Sequence, residues 1–233
     1  MGDSIFIEFS TIKQEFTIKF LEGYIKALFP KEKKLEVAEY DRNTAKFTHT
    51  KYTLQEVAKK LYNHGKGESL SVNYRIINKY VYAILVHAHP NKKGIELGLS
   101  IDRCLLDEHI APKVIPDFIE RCKSIYNYAH PEYGRGDWGL ALEDCDVDNI
   151  KKSSKHIYWI NFYGPKLTTF GTDAINSIPY GFAEKLPDGG AIVLRGKFPN
   201  DNDESMKKRH IHEILFGKKL SLIEKIMGKH SWD

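Results

Sequence analysis

Between residues 10 and 29, apolar side chains fall at Ile12, Phe16, Phe20, Leu21, Tyr24, Ile25 and Leu28. This is the three-and-four spacing of one helical face, and Pro30 ends it. Residues 35–40 and 46–50 flank Asp41-Arg-Asn-Thr44 and read as a hairpin. Thr53-Leu-Gln-Glu56 has the spacing of a capping box that opens a short helix to about Asn63. Three strands are expected at 70–75, 80–87 and 95–101. The clearest periodicity runs from Ala111 to Ala129, through Ile115, Phe118, Ile119, Cys122, Ile125 and Tyr126. It predicts a core-facing helix, provided Pro112 and Pro116 lie in or near its first turn, where a missing N–H costs nothing. Pro131 closes it.

Beyond a glycine-rich loop at 134–139, residues 157–163 read as a strand, while 165–170 and 173–176 read as short helical turns. Residues 181–185 pair with 191–195 across Leu186-Pro-Asp-Gly-Gly190. Asp203 is placed to cap a helix over 204–216 that stops at Gly217, and a last helix passes through Leu222 and Ile226. Strands and helices cluster instead of alternating. The expected fold is therefore α+β, a mostly antiparallel sheet packed by several helices, forming a single domain over 1–233.

Composition adds little to this pattern. Aliphatic and aromatic residues make up 42% of the 233 residues and charged residues 28%, an ordinary globular balance. A net charge of +4 is too mild for a nucleic-acid footprint, and the three cysteines form neither a disulfide framework nor a zinc ribbon. No basic leader or bilayer-length apolar run is present, so a cytoplasmic setting is expected.

Several local patterns carry chemistry only in the right context. Gly134-Arg-Gly-Asp-Trp-Gly139 matches a dinucleotide fingerprint in letters, but a helix precedes it where a strand should feed it, so it reads as a flexible loop. Asp144, Asp146 and Asp148 sit at alternate positions of a calcium loop. Asn149 replaces the turn glycine and Lys155 the bidentate glutamate, so a solvated acidic loop is the default. His87 and His89 point to one side of a strand end and offer the start of a metal site, with His130, His210 and His212 as more distant candidates for a third ligand. No nucleophile elbow, P-loop or paired-carboxylate helix is present, which argues against an enzyme. A metal-dependent or other hydrolase using the His87/His89 pair is one alternative class, and a nucleic-acid-binding module is a second.

The ring-rich stretch His156-Ile-Tyr-Trp-Ile-Asn-Phe-Tyr-Gly-Pro165 sharpens the reading. Alternation puts Tyr158, Ile160 and Phe162 on one face and Ile157, Trp159, Asn161 and Tyr163 on the other, the pattern of a strand covered on both sides. An RNA-stacking strand needs basic residues and glycines among its rings, which this one lacks. A central strand with Trp159 and Phe162 buried is expected.

Tyr158-Trp-Ile-Asn-Phe-Tyr-Gly-Pro-Lys-Leu167, Leu186-Pro-Asp-Gly-Gly-Ala-Ile-Val-Leu194 and His130-Pro-Glu-Tyr-Gly134 resemble the immunity proteins of bacterial polymorphic toxin and type VI secretion systems. The type VI immunity and immunity protein fifty-two branches are the nearest, with the resemblance strongest over 130–198. It implies a cytoplasmic, non-enzymatic protein that neutralises a cognate toxin by binding it; no metal, cofactor, membrane or nucleic-acid partner is expected, and monomer and homodimer both stay open. The positive net charge departs from the acidic immunity proteins that face basic nucleases, so either the toxin is not basic or the acidic run 143–148 supplies a local patch. Partner anchors are accordingly expected at Tyr133, Arg135, Asp137 and Trp138 in the glycine-rich loop, and at Glu143, Asp144, Asp146 and Asp148.

Overall fold

The computed structural model describes residues 4–41, 44–65, 74–77, 81–88, 94–102, 111–138, 150–197 and 204–217. They form an α+β fold of antiparallel strands and helices, and chain contacts gather in two compact units, 1–131 and 132–233.

In the first unit, strands β1 (Ser4–Ile12), β2 (Lys34–Asp41), β3 (Lys46–Thr53), β4 (Tyr74–Ile77), β5 (Val81–Ala88) and β6 (Ile95–Asp102) lie in the order β3-β2-β4-β5-β6-β1. Every pairing is antiparallel. Helices α1 (Ile18–Leu28), α2 (Leu54–Gly65) and α3 (Ala111–Ala129) complete it.

β1 corrects the first sequence reading. Ile5, Ile7 and Phe9 alternate with less buried neighbours, a period of two that makes a strand, and the register slips between Phe9 and Ile12 where Thr11 takes a φ of 58°. The helix expected from residue 10 begins only at Ile18. Thr17 fixes its start, its Oγ1 accepting from the Phe20 N–H at 3.1 Å. At the other end the Phe29 N–H still reaches the Ile25 carbonyl before Pro30 stops the run.

The capping box is formed as expected: Thr53 Oγ1 accepts from the Glu56 N–H at 3.3 Å and Glu56 accepts from the Thr53 N–H at 2.7 Å. The 46–50 arm of the hairpin extends to Thr53, and the strands expected at 80–87 and 95–101 are β5 and β6. Of the strand expected at 70–75, residues 74 and 75 belong to β4 and the rest lie outside the described residues.

α3 spans the range read from periodicity and buries Val114, Phe118, Cys122, Ile125 and Tyr126. Pro116 sits one turn further in than the first-turn rule allows, inside the helix. Burial holds the Cys122 thiol well above its usual range, so it acts as a small apolar side chain. Gly23 of α1 lets α3 approach: a Cβ there would lie 2.1 Å from Tyr128 Oη, which donates to the Phe20 carbonyl at 2.8 Å. Arg121 ties three elements together. Its Nε donates to Asp117 at 2.9 Å, its Nη1 donates to the terminal Leu28 carbonyl of α1, and its plane lies 4.8 Å from the ring centres of both Phe29 and Tyr82.

In the second unit, β7 (Tyr133–Trp138), β8 (Ile160–Tyr163), β9 (Phe182–Lys185) and β10 (Ala191–Leu194) follow the order β7-β8-β10-β9, again antiparallel. The short helix α4 (Thr172–Asn176) and the longer α5 (Glu204–Phe216) accompany them. β8 is central, and Trp159 and Phe162 are both fully buried, as the aromatic run predicts. The hairpin β9/β10 and the end of α5 at Gly217, with φ of 62°, also match expectation. Residues 165–167 make a turn, whereas Asp203 and the helix expected through Leu222 and Ile226 lie outside the described residues. Of the loop expected at 134–139, residues 134–138 are instead strand, in β7, and 139 lies outside the described residues. With Ile160 and Phe162 opposite Gly136 and Gly134, the strand packs where a loop reading saw only flexibility.

Gly181, at φ of 57°, enters β9 so tightly that a Cβ would lie 2.5 Å from the Leu194 carbonyl oxygen, a backbone atom that cannot swing away. Gly181→Ala is expected to lower stability by about 1–3 kcal/mol in urea denaturation followed by tryptophan fluorescence. The Thr53 N–H holds the Glu56 carboxyl below its usual range, so its contribution is present above the unfolded value and lost as pH falls through the lower folded one. The stability gap between wild type and Glu56→Gln should therefore be present near pH ~6 and close as pH drops below about 4.

Candidate functional site

The residues expected to meet a partner on a loop are held in β7, where most of them serve the unit's own interior. Tyr133 is buried and its hydroxyl donates to the His156 carbonyl at 3.0 Å. Arg135 is 5% exposed and donates to the Tyr158 hydroxyl at 3.2 Å, its guanidinium 5.4 Å from that ring. These two are interior groups, which corrects the picture of a loop presenting ring and guanidinium together. Trp138 is half-buried at the end of the strand.

Asp137 does the most. One oxygen accepts from the Trp138 N–H at 2.9 Å, while the other accepts from the Trp159 N–H at 3.0 Å and from Arg195 at 3.2 Å. The Arg195 side chain is wholly buried and that of Asp137 is 13% exposed, so this is an interior ion pair, kept by geometry and added hydrogen bonds. Asn161 completes the network: its Oδ1 accepts from the Tyr158 N–H and its Nδ2 donates to the Tyr158 carbonyl at 2.8 Å. That side chain takes the ladder's place, and so the regular strand begins at Ile160 instead of Ile157.

The histidine candidates are dispersed. His87 Nδ1 lies 3.5 Å from Glu96 on the neighbouring strand, His130 caps α3 at φ of 47°, and His212 is buried in α5 beside Phe216. His89 and Glu143, Asp144, Asp146 and Asp148 fall outside the described residues. Among the described residues no group of three or more His, Cys, Asp or Glu side chains is arranged to hold a metal ion, and no helix is long and apolar enough to cross a membrane.

The second unit does build an outward-facing cluster. α5 turns Ile211, His212 and Leu215 inward, which leaves Met206 and His210, one turn apart, facing out. Tyr180 stands against this face: its hydroxyl lies 3.0 Å from His210 Nδ1, the two rings meet edge-on, and Lys207 Nζ is 5.8 Å from the phenol ring centre. Two residues further on, Phe182 opens the terminal strand β9 with 44% of its surface exposed, and Met206 is 60% exposed. Tyrosine, phenylalanine and methionine are among the residue types enriched at protein interfaces. Sequence reading passed over them because a single Phe in a short strand and a single Met in a basic helix have no periodicity to flag. The signal was Met206 beside Lys207, Lys208 and Arg209 on a helix whose apolar stripe lies elsewhere.

No protein-family model matches the sequence, and no curated protein matches it. Among solved structures, the fold is similar to that of the Pseudomonas aeruginosa T6SS protein PA0821, with a TM-score of 0.51 at 14% identity, covering 93% of this chain and 72% of that one. The class defined here is thus an α+β antiparallel-sheet protein sharing the fold of a type VI secretion protein.

Removing one partner of an interior ion pair leaves the other charge uncompensated. Asp137→Ala is expected to cost about 3–5 kcal/mol in urea denaturation, and Asp137→Asn, which also leaves Arg195 uncompensated and turns one accepting oxygen into a donor, a comparable amount.

Proposed function

We propose that this chain is an immunity protein that neutralises a cognate bacterial toxin by stoichiometric binding in the context of type VI secretion. The carrying observation is the fold likeness to a Pseudomonas aeruginosa T6SS protein across 93% of the chain. The motif resemblance points the same way, since both of its main segments fall in the paired strands β8 and β10.

In this reading the chain performs no reaction of its own, and its working part is a surface. The cluster of Tyr180, Lys207 and His210, with Met206 one turn from His210 and the exposed Phe182 on β9, suits that task, because rings and a thioether supply contact area while the lysine sets charge preference. Lys207, beside the Tyr180 ring, and Arg209 flank Met206 around the helix and give this face basic character. In this reading its partner surface is acidic, which fits a net charge of +4 with a toxin that is not basic at the contact.

Co-expression with the C-terminal domain encoded by an adjacent toxin-sized gene should restore growth of a bacterial host, and unrelieved killing would refute the assignment. Purified Tyr180→Ala/Met206→Asp should keep its circular dichroism spectrum and bind that toxin domain roughly 30-fold more weakly or worse, as the loss of about 2 kcal/mol at an interface anchor requires. Unchanged affinity would move the interface off this face.

A further inference from the structure

Among the described residues β3 ends its sheet, and its eight residues pair with β2 in an uninterrupted register from Lys34↔Thr53 to Asp41↔Lys46. Natural edge strands are blunted by shortness, bulges, proline or lysine. β3 is long, regular and free of proline, and residues 46–51 are exposed on both faces. Lys46 and Lys51 are its only guards in sequence, while Glu36 on β2, opposite Lys51, lies 3.3 Å from His49 Nδ1.

We propose that β3 is a self-pairing edge through which two copies of the chain join antiparallel, with His49 of each copy at the two-fold axis. A two-fold axis normal to the sheet requires directly opposed residues to lie on the same face, so only alternate registers are open. Centring on Lys51 sets lysine against lysine, and centring on Thr50 sets His49 against Lys51. Centring on His49 opposes Phe47 to Lys51, Lys46 to Tyr52 and Thr48 to Thr50, each contact made twice. Within 46–52 each lysine then lies beside an aromatic ring and each threonine beside a threonine, both favourable cross-strand pairs. The stretch Lys46-Phe-Thr-His-Thr-Lys-Tyr52 is self-complementary in this register, which favours a second copy over an unrelated strand.

The test uses the full chain by itself, so it does not depend on any toxin. A contact this small is weak, so sedimentation velocity should show monomer at roughly 1 μM and a growing dimer fraction by roughly 100 μM. Phe47→Lys, which would oppose Lys51 of the second copy, should weaken dimerisation about tenfold or more with the monomer still folded. Opposed Cα atoms in such a pair are about 4.5–5.5 Å apart, within disulfide reach. His49→Cys should therefore cross-link under oxidation above the wild-type background, whereas Phe47→Cys, roughly 13 Å from its symmetry mate, should not. A chain that stays monomeric at high concentration, an undiminished dimer in Phe47→Lys, or cross-linking through Phe47→Cys in place of His49→Cys would overturn the proposal. Protection of β3 amides only on addition of a toxin domain would assign the edge to that partner instead.

Discussion

β8 is buried along its whole length and bonded to a strand on each side, so no polar group beside it can turn to water. An unsatisfied polar group there costs far more than a hydrogen bond gains, which dictates what surrounds the strand. Asn161 closes onto the Tyr158 backbone, Tyr133 reaches the His156 carbonyl, and Trp159 directs its ring N–H to the Gly196 carbonyl at 3.1 Å. Asp137 and Arg195 are drawn in by the same demand. The second unit is thus held by a polar network wrapped in aromatic side chains, and its tolerance for substitution is lowest where the sequence looks most like a binding loop.

The first unit solves its packing differently. Its helices carry apolar stripes, and polar side chains tie the junctions between elements. Tyr24 passes its hydroxyl to the Gly98 carbonyl at 3.0 Å, with burial holding the phenol well above its usual range. Arg121 caps the last carbonyl of α1 while lying on two rings. Interior chemistry is spent on cohesion in both units, and interaction falls to what faces outward: the Tyr180–His210 face of one and the terminal strand β3 of the other.

Long periodic elements were legible in the chain. α3, the hairpin of 35–40 with 46–50, the Thr53/Glu56 cap, the β9/β10 hairpin and the burial of Trp159 and Phe162 follow from spacing alone, because hydrophobic period and cap chemistry are local properties. β1 was hidden because its Ile5, Ile7 and Phe9 alternation runs straight into the stripe of α1, and only the Thr17 cap separates them. β7 was hidden because Gly134 and Gly136 read as loop until a neighbouring strand needs the room they leave.

The candidate site was the least legible part. Tyr133, Arg135 and Asp137 looked like anchors since a ring, a guanidinium and a carboxylate beside glycines suit an exposed loop equally well, and the choice rests on whether a partner waits inside. The sequence by itself determined the α+β class, most element positions and the aromatic central strand, since these depend on residues close together in the chain. Only the tertiary structure decided that Asp137 meets Arg195, that Tyr180 meets His210, and that β3 ends its sheet, because each depends on which distant strands and helices become neighbours.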